Sequence, residues 1–297
     1  MDVGRLRGAI LVALAFVGPA CASGSDEPER RQEPSAFETP FGDDEVYPVF
    51  ASSEVTVGRN RFLVGLLNDE DAPIGSPRID MHIEFFDLNR SSSDSVTDTE
   101  MRWIWMDKPF TGLYASEVSF DEPGRWGAEV TVSGEGVDAT VRSSFEVRRE
   151  GSTPAVGERA PSSDTPTATQ PGAIRRISTD AHPDPRFYTT SIADALGAGE
   201  PFVVVFATPK FCASQACGPV LDNVKRVARH ERGLTFIHVE PYELPADPTD
   251  LEPVSAAIEW RLPSEPWVFV LDGRGRVAAK FEGALSPEEL RSALRRL

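Results

Sequence analysis

Two cysteines in the C-terminal half are the residues of this chain best suited to carry chemistry. Cys212 and Cys217 enclose Ala-Ser-Gln-Ala, and Cys21 is the only other cysteine among the 297 residues. In an oxidising compartment such a pair can form a disulfide. That bond either staples the chain permanently or exchanges with thiols of other proteins. The pair predicts disulfide chemistry and leaves both outcomes open.

The spacing of the two cysteines limits where they can lie. On a regular helix, five steps of about 100° put two side chains about 140° apart, with roughly 7.5 Å of rise. A disulfide does not usually span that separation. We therefore expect Cys212 to lie in a loop before a helix, or the first helical turn to be distorted. Pro219 agrees with a helix start here, because proline is accepted in a first turn.

A helix that begins near Cys217 would also act on the sulfurs. The free N–H groups of its first turn would point toward them and favour the thiolate form. Lys210, two residues before Cys212, could add positive charge. The sequence therefore predicts a pair of thiols whose reduced form is reactive.

Strands alternate with helices around this pair. The apolar run 201–207 is typical of a strand buried on both faces, and Ser286, Pro287 and Glu289 form a capping-box pattern at the start of the last helix. The predicted helices span 191–196, 218–232, a short segment ending near 260, and 286–297. The predicted strands span 201–207, 234–239, 267–271 and 276–281.

Two motifs in this segment resemble the thioredoxin family. Phe202-Val-Val-Val-Phe-Ala-Thr-Pro-Lys-Phe211, leading into Cys212, resembles the strand before a thioredoxin active site, and Ser264-Glu265-Pro266-Trp267 resembles its cis-proline loop. Over 173–297 the chain most resembles exported thioredoxin-like lipoproteins. The resemblance implies an α/β thioredoxin-like domain.

The resemblance also implies roles for three residues. Cys212 would attack a partner disulfide, Cys217 would resolve the mixed disulfide, and Pro266 would orient the partner's extended backbone. Four intervening residues replace the usual two, so Cys217 remains the alternative nucleophile. The strand 203–206 lacks the buried carboxylate of thioredoxins, for which Glu240 on the next strand could substitute.

The N-terminal half predicts a different architecture. Seven short runs of apolar, β-branched and aromatic residues are separated by turn signals, with no helical stretch between them, which favours an antiparallel sandwich. The segment 112–126 resembles the end of immunoglobulin-like domains of exported bacterial proteins. The predicted fold class is thus an all-β immunoglobulin-like sandwich followed by the α/β thioredoxin-like domain. The predicted strands span 47–51, 61–67, 79–88, 101–106, 113–120, 126–132 and 139–148.

The first residues indicate export. Arg5 and Arg7 precede the apolar run 9–17, which is too short for a stable membrane anchor and reads as a secretory signal. Ala20-Cys21 and the polar residues after it resemble a bacterial lipoprotein processing site, with the lipid on Cys21. Ordinary cleavage after Ala22 is the alternative. Both place the mature protein outside the cytoplasm, in the cell envelope.

Composition sets the domain boundaries and excludes some partners. Residues 26–150 carry 12 Lys and Arg against 27 Asp and Glu, and 151–297 carry 16 against 19, within a net charge of −17. This balance would repel a phosphate backbone, so no nucleic-acid partner is expected. The predicted segments are a signal peptide (1–21), a flexible tether (22–46), the sandwich (47–149), a Pro/Ser/Thr linker (150–172) and the second domain (173–297).

The first functional hypothesis is thiol–disulfide exchange with exported proteins. The lipid on Cys21 would add the membrane as a second partner. No cofactor and no resident metal are expected. Peroxide reduction is disfavoured because Thr208 lies four residues before Cys212, not three. Cu(I) assembly would need a histidine beside the two thiolates, and the candidates are His238 and His230. The remaining alternative is a surface lipoprotein with a structural disulfide that binds a partner without catalysis.

Overall fold

Seven strands of the N-terminal half form one antiparallel sheet. The structure is a computed structural model that describes Phe37 and residues 46–297. Its sheet has the order β1-β2-β5-β4-β3-β6-β7, and all seven strands predicted from the sequence are confirmed. They are β1 (Val46–Phe50), β2 (Gly58–Asn68), β3 (Asp80–Asp87), β4 (Thr97–Asp107), β5 (Thr111–Phe120), β6 (Gly124–Gly134) and β7 (Val137–Val147).

This sheet curls until its two ends nearly meet. After β1, Val57 N donates to Arg148 O at 2.9 Å, and Arg148 N donates to Val55 O at 2.9 Å, so the first strand's continuation reaches the end of β7. The enclosed core is aromatic. Phe85 and Phe120 pack edge to face with ring centroids 5.3 Å apart, and Trp126 is fully buried beside them. Strand alternation turns these rings inward and leaves polar side chains outside.

Four strands of the C-terminal half form a second sheet with the order β11-β10-β8-β9. Only β8 and β9 are parallel, and β10 is antiparallel to both β8 and β11. The strands are β8 (Phe202–Phe206), β9 (Thr235–Val239), β10 (Trp267–Leu271) and β11 (Val277–Glu282). The helices are α1 (Pro171–Ile174), α2 (Ile192–Ala198), α3 (Cys217–Ala228), α4 (Ser255–Glu259) and α5 (Pro287–Leu294), with a 3₁₀ turn at Pro185–Tyr188.

The predicted fold class, an immunoglobulin-like sandwich followed by an α/β thioredoxin-like domain, is wrong. The described part of the chain is mostly β, with one seven-stranded, nearly closed sheet, a second sheet and only 16% helix. A sandwich needs two separate sheets, whereas here β3 pairs with both β4 and β6 and joins all seven strands into one. Alternating side chains look the same in both arrangements, so the sequence pattern did not separate them.

Polar side chains join the two sheets within the compact unit that includes residues 34–297. Lys280 on β11 pairs with Glu54 at 2.5 Å, and Arg61 on β2 pairs with Glu289 on α5 at 2.9 Å. Asn223 on α3 donates to Met106 O on β4 at 2.8 Å. These contacts hold α3 and the end of β11 against the outer side of the first sheet.

The predicted segments outside the strands are described in part. The signal segment with Cys21, and the tether 22–46 except Phe37 and Val46, lie outside the described residues. Phe37 is buried against Phe86. Most residues of the stretch 150–172 are exposed, although Thr153 and Ser163 are buried. The domain boundaries themselves stay a prediction. Among the described residues, no helix is both long and apolar enough to cross a membrane.

Candidate functional site

Cys212 and Cys217 are joined in a disulfide at the start of α3. The helix begins at Cys217, and Cys212 lies in the turn before it, as the five-residue spacing predicted. Gln215 makes this possible, because its left-handed φ of 57° reverses the chain and brings Cys212 back over the helix. The two Cα atoms are 6.0 Å apart, within the range of protein disulfides. We call residues 208–216 the cysteine loop.

The two sulfurs have different environments. Cys217 is fully buried in the core between the sheet and α3, whereas Cys212 is half-buried at the surface. The backbone N–H of Cys217 donates to the Cys212 sulfur at 3.3 Å, and Ser214 Oγ lies 3.3 Å from the same atom. Ala216 provides no side-chain cap for α3, so the sulfur takes part of that role. A negative charge on Cys212 would be stabilised there.

The loop that opens β10 lies directly beside the disulfide. A carboxylate oxygen of Glu265 and the two sulfurs all lie within 4.8 Å of one another. The Glu265–Pro266 peptide is cis, and Pro266 is buried. Pro266 O accepts from Gly283 N at 2.9 Å, so this carbonyl is already paired within the fold. The structure thus brings the predicted Pro266 loop to the cysteines.

Sequence reasoning missed Glu265 as a site residue. Its only signal was its place between Ser264 and Pro266 in the proline motif. Tyr242 Oη donates to Glu265 Oε2 at 3.0 Å and holds the carboxylate in place. Burial, together with the Glu265 charge and this hydrogen bond, raises the pKa of Tyr242 to about 12. Tyr242 therefore stays a neutral donor at physiological pH.

Glu240 and Thr208 end the two parallel strands under the cysteine loop. Thr208 O accepts from Cys212 N at 3.1 Å. Glu240 is buried, and its Oε2 accepts from the backbone N and the Oγ1 of Thr179, both at 2.8 Å. Burial raises the pKa of the Glu240 carboxyl. Glu240, which the sequence indicated as a possible proton-handling carboxyl, is therefore a buried carboxyl at the end of β9.

Neither histidine named for copper binding belongs to the cysteine site. His238 is buried, with Nε2 2.8 Å from Ala207 O and Nδ1 2.8 Å from Tyr188 Oη, so both ring nitrogens are occupied. Burial lowers the pKa of His238 to about 4 and keeps the ring neutral. His230 is exposed at the end of α3. Among the described residues, the donor atoms that lie close enough together to hold a metal ion belong to Cys212, Cys217 and Glu265.

A positively charged groove adjoins the cysteine loop. It has a volume of about 510 Å³, and we call it the cationic groove. At the edge of this groove, Lys210 Nζ lies over the Phe211 ring, 5.1 Å from the ring centre. No salt bridge joins Arg175, Arg176 or Lys210 to another described residue. The lining residues are Arg175, Arg176, Ser178, Thr179, Lys210, Phe211, Leu244, Pro245 and Ala246.

A second cleft, of about 790 Å³, lies between the outer side of the first sheet and α5. Among its charged side chains, Arg61 pairs with Glu289 and Arg59 pairs with Glu117. The cysteines do not line it. We therefore place the candidate site at the disulfide and not in this cleft.

Comparisons with known proteins assign no family to the chain. No family model and no curated protein matches it. Among solved structures, a Bacteroides vulgatus protein described as a glycoside hydrolase is 13% identical, with a TM-score of 0.21. The match covers 40% of this chain and 23% of that protein's chain. A similarity this low carries no argument about fold or function.

Proposed function

We propose that this protein exchanges disulfides with extracytoplasmic proteins through Cys212 and Cys217. The observation that carries the proposal is the asymmetry of the pair. Cys212 is open to a partner, while Cys217 is buried behind it at the N-terminus of α3. A staple needs no such difference, whereas an exchange site needs one sulfur that meets the partner and one that stays within the protein.

The exchange proceeds in two steps that conserve atoms and electrons. In the reduced protein, the Cys212 thiolate attacks one sulfur of a partner disulfide, forms a mixed disulfide and releases the partner's other sulfur as a thiolate. The Cys217 thiolate then attacks Cys212 Sγ, closes the internal disulfide and releases the second partner thiolate. The protein loses two electrons and the partner gains them. The reverse sequence oxidises a partner dithiol.

The surroundings of the pair support this order. The N–H of Cys217 and the N-terminal end of α3 stabilise the Cys212 thiolate, both as nucleophile and as leaving group. Pro266 contributes by holding Glu265 next to the sulfurs, since the carbonyl of Pro266 is paired with Gly283.

The cationic groove suggests the charge of the partner. Arg175, Arg176 and Lys210 give a local positive field beside Cys212 on a chain of net charge −17. Opposite charges raise association rates and align the partner. We infer that partner segments carry acidic residues near their cysteines. Export and a lipid on Cys21 belong to the same proposal, because disulfide exchange of this kind needs an extracytoplasmic setting.

The reduction potential of the pair tests the proposal. We would measure it in the full-length chain carrying Cys21→Ser, equilibrated in graded thiol buffers and read by alkylation mass shift. We expect a potential above about −230 mV, as in exchange catalysts. A potential below about −300 mV would identify a permanent staple and refute the proposal.

A trapping experiment assigns the two roles. With Cys217→Ser, the mixed disulfide on Cys212 cannot be resolved, so covalent partner adducts accumulate. Cys212→Ser is the matched control and should trap little, because Cys217 is buried. Equal trapping by both variants would show that Cys217 is also a nucleophile.

A further inference from the structure

We propose that the reduced cysteine pair and Glu265 form a binding site for Zn²⁺. The two sulfurs and a carboxylate oxygen of Glu265 lie within 4.8 Å of one another. The three donors come from separate parts of the chain: the cysteine loop, the first residue of α3 and the loop before β10. The disulfide occupies both sulfurs, so the site exists only after reduction.

The donor set favours zinc over other cations. Two thiolates and one carboxylate are ligands that Zn²⁺ accepts, and three protein ligands with an open fourth position are typical of non-structural zinc sites. Cu(I) is also held by thiolates, but it favours soft ligands, so the Glu265 carboxylate is the ligand that favours Zn²⁺ over Cu(I). Ca²⁺ and Mg²⁺ prefer oxygen ligands alone. The three anionic ligands would leave the zinc-bound site with one net negative charge.

The geometry requires a small movement of one sulfur. At Zn–S distances of about 2.3 Å and a tetrahedral angle, the two sulfurs would be about 3.8 Å apart. Cys217 is fixed in the first turn of α3 and fully buried, so Cys212 must move. Cys212 lies in a turn at the surface, where the chain can adjust without disturbing the core.

Hydrogen bonds around the donors prepare them for a cation. Tyr242 Oη donates to Glu265 Oε2 and orients the carboxylate toward the sulfurs. The N–H of Cys217 donates to the Cys212 sulfur and stabilises its thiolate form. Such supporting groups fix ligand orientation, and their loss commonly weakens metal binding 10–100-fold.

Zn²⁺ can bind only after the Cys212–Cys217 disulfide has been reduced. A dithiol reductant transfers two electrons and two protons to the disulfide and becomes a disulfide itself, leaving two thiols on this chain. Zn²⁺ then binds both sulfurs and displaces their two protons. Oxidation of the pair would release the ion. The proposal needs a reducible pair, which it shares with the exchange function, but it does not need a protein partner.

Zinc titration of the full-length Cys21→Ser chain tests this site. We would reduce the protein, remove the reductant without oxygen and titrate ZnCl₂ against a chromophoric chelator at pH 7.4. We expect one Zn²⁺ per reduced chain and none on the oxidised chain. Glu265→Gln keeps the shape of the side chain and removes its charge, so we expect affinity to fall at least tenfold. Glu243→Gln, an exposed carboxylate one residue from Tyr242, is the control and should bind as tightly as the parent.

Three results would overturn the proposal. Equal binding by reduced and oxidised protein would place the ion on surface carboxylates. Unchanged affinity in Glu265→Gln would remove Glu265 from the site, and no binding to the reduced chain would remove the site altogether. Exchange with a peptide disulfide, measured in excess EDTA, reports on the proposed function separately, so a failure of one is distinguishable from a failure of the other.

Discussion

At the scale of single residues, the site depends on groups that the fold has made unequal. Cys212 and Cys217 are chemically identical in the sequence, and burial alone makes one accessible and the other protected. Glu265 is one of many acidic residues of this chain, and its position beside the sulfurs alone makes it a candidate ligand. The residue type determines which chemistry is possible, and burial and neighbouring groups decide which residue of that type takes part.

His238 provides a pH-dependent prediction at this scale. Burial lowers its folded-state pKa from 6.5 to about 4, with the Asp180 charge raising it and the Lys225 charge lowering it. Because the folded pKa is depressed, the unfolded protein takes up a proton on His238 before the folded protein does. The free energy of unfolding is therefore highest above pH 6.5 and falls as the pH drops toward 4. The loss between pH 7.5 and 5 is about 2 kcal/mol.

Urea unfolding of the parent and of His238→Gln at pH 7.5 and 5 measures this effect. Glu240, whose pKa is raised, titrates in the opposite sense but is present in both proteins. We therefore expect the stability advantage of the parent over the variant to shrink by about 2 kcal/mol at pH 5. A constant difference between the two pH values would show that His238 titrates normally.

At the scale of elements, local signals placed most strands and helices correctly. The last helix is an example, because Ser286 Oγ, Pro287 and Glu289 form the capping box that their spacing predicted. Glu289 has a second role that the pattern did not show. It also pairs with Arg61 on β2, so the cap of α5 is part of the contact between the two sheets.

Ser286→Ala tests the cap. Removing the hydroxyl leaves the N–H of Glu289 without its acceptor, and we expect the free energy of unfolding to fall by about 1 kcal/mol. Ser292→Ala, on the same helix, removes a hydroxyl that has no capping role and should change stability by less than about 0.5 kcal/mol. Urea denaturation at pH 7 compares the two variants. An equal effect of both would contradict the capping account.

At the scale of the whole molecule, a few charged pairs join the two sheets. Glu54 is buried and accepts hydrogen bonds from Ser152, Thr153 and Lys280. Burial by itself would raise the pKa of Glu54, but the hydrogen bonds and the Lys280 charge outweigh it and lower the pKa. The segment after β7 is thereby tied to both sheets.

Lys280→Met tests this junction. The substitution leaves the Glu54 carboxylate buried without its cation, and we expect a loss of about 3 kcal/mol in unfolding free energy. Adding Glu54→Gln removes the uncompensated charge and should recover part of the loss. Arg59→Met breaks an exposed pair with Glu117 and serves as the control, with no measurable change expected. Calorimetry of the four proteins at pH 7 gives the comparison.

Acid should weaken the same junction. The pKa values of Glu54 and Glu289 are both lowered from 4.5, despite burial, mainly by Lys280 and Arg61 respectively. Their stabilisation is present above pH 4.5 and is lost as the pH falls through the lowered values. We expect the urea midpoint to decrease below pH 4.5, and to decrease less in Glu289→Gln than in the parent. Parallel curves would exclude Glu289 as a contributor.

How far the sequence predicted the candidate site differs from residue to residue. It identified Cys212, Cys217 and Pro266, and it required Cys212 to lie before the helix, because a disulfide must satisfy fixed distances along a known helical geometry. It missed Glu265, whose closeness to the sulfurs depends on the loop before β10 meeting a helix start 48 positions earlier in the chain. It also named His238 as a ligand candidate, although its nitrogens bind Ala207 and Tyr188.

The sequence by itself determined most elements of this protein, because alternation, capping and turn residues act through hydrogen bonds and side-chain directions within a few positions. Tertiary structure alone decided that seven strands join in one nearly closed sheet and that Lys280 meets Glu54 across 226 positions. These outcomes depend on which distant surfaces bury each other, and the same local pattern permits several such pairings. The cysteine pair depends on both. Its spacing predicted where the disulfide lies relative to the helix, whereas tertiary packing left Cys212 at the surface and placed the Glu265 carboxylate beside the two sulfurs.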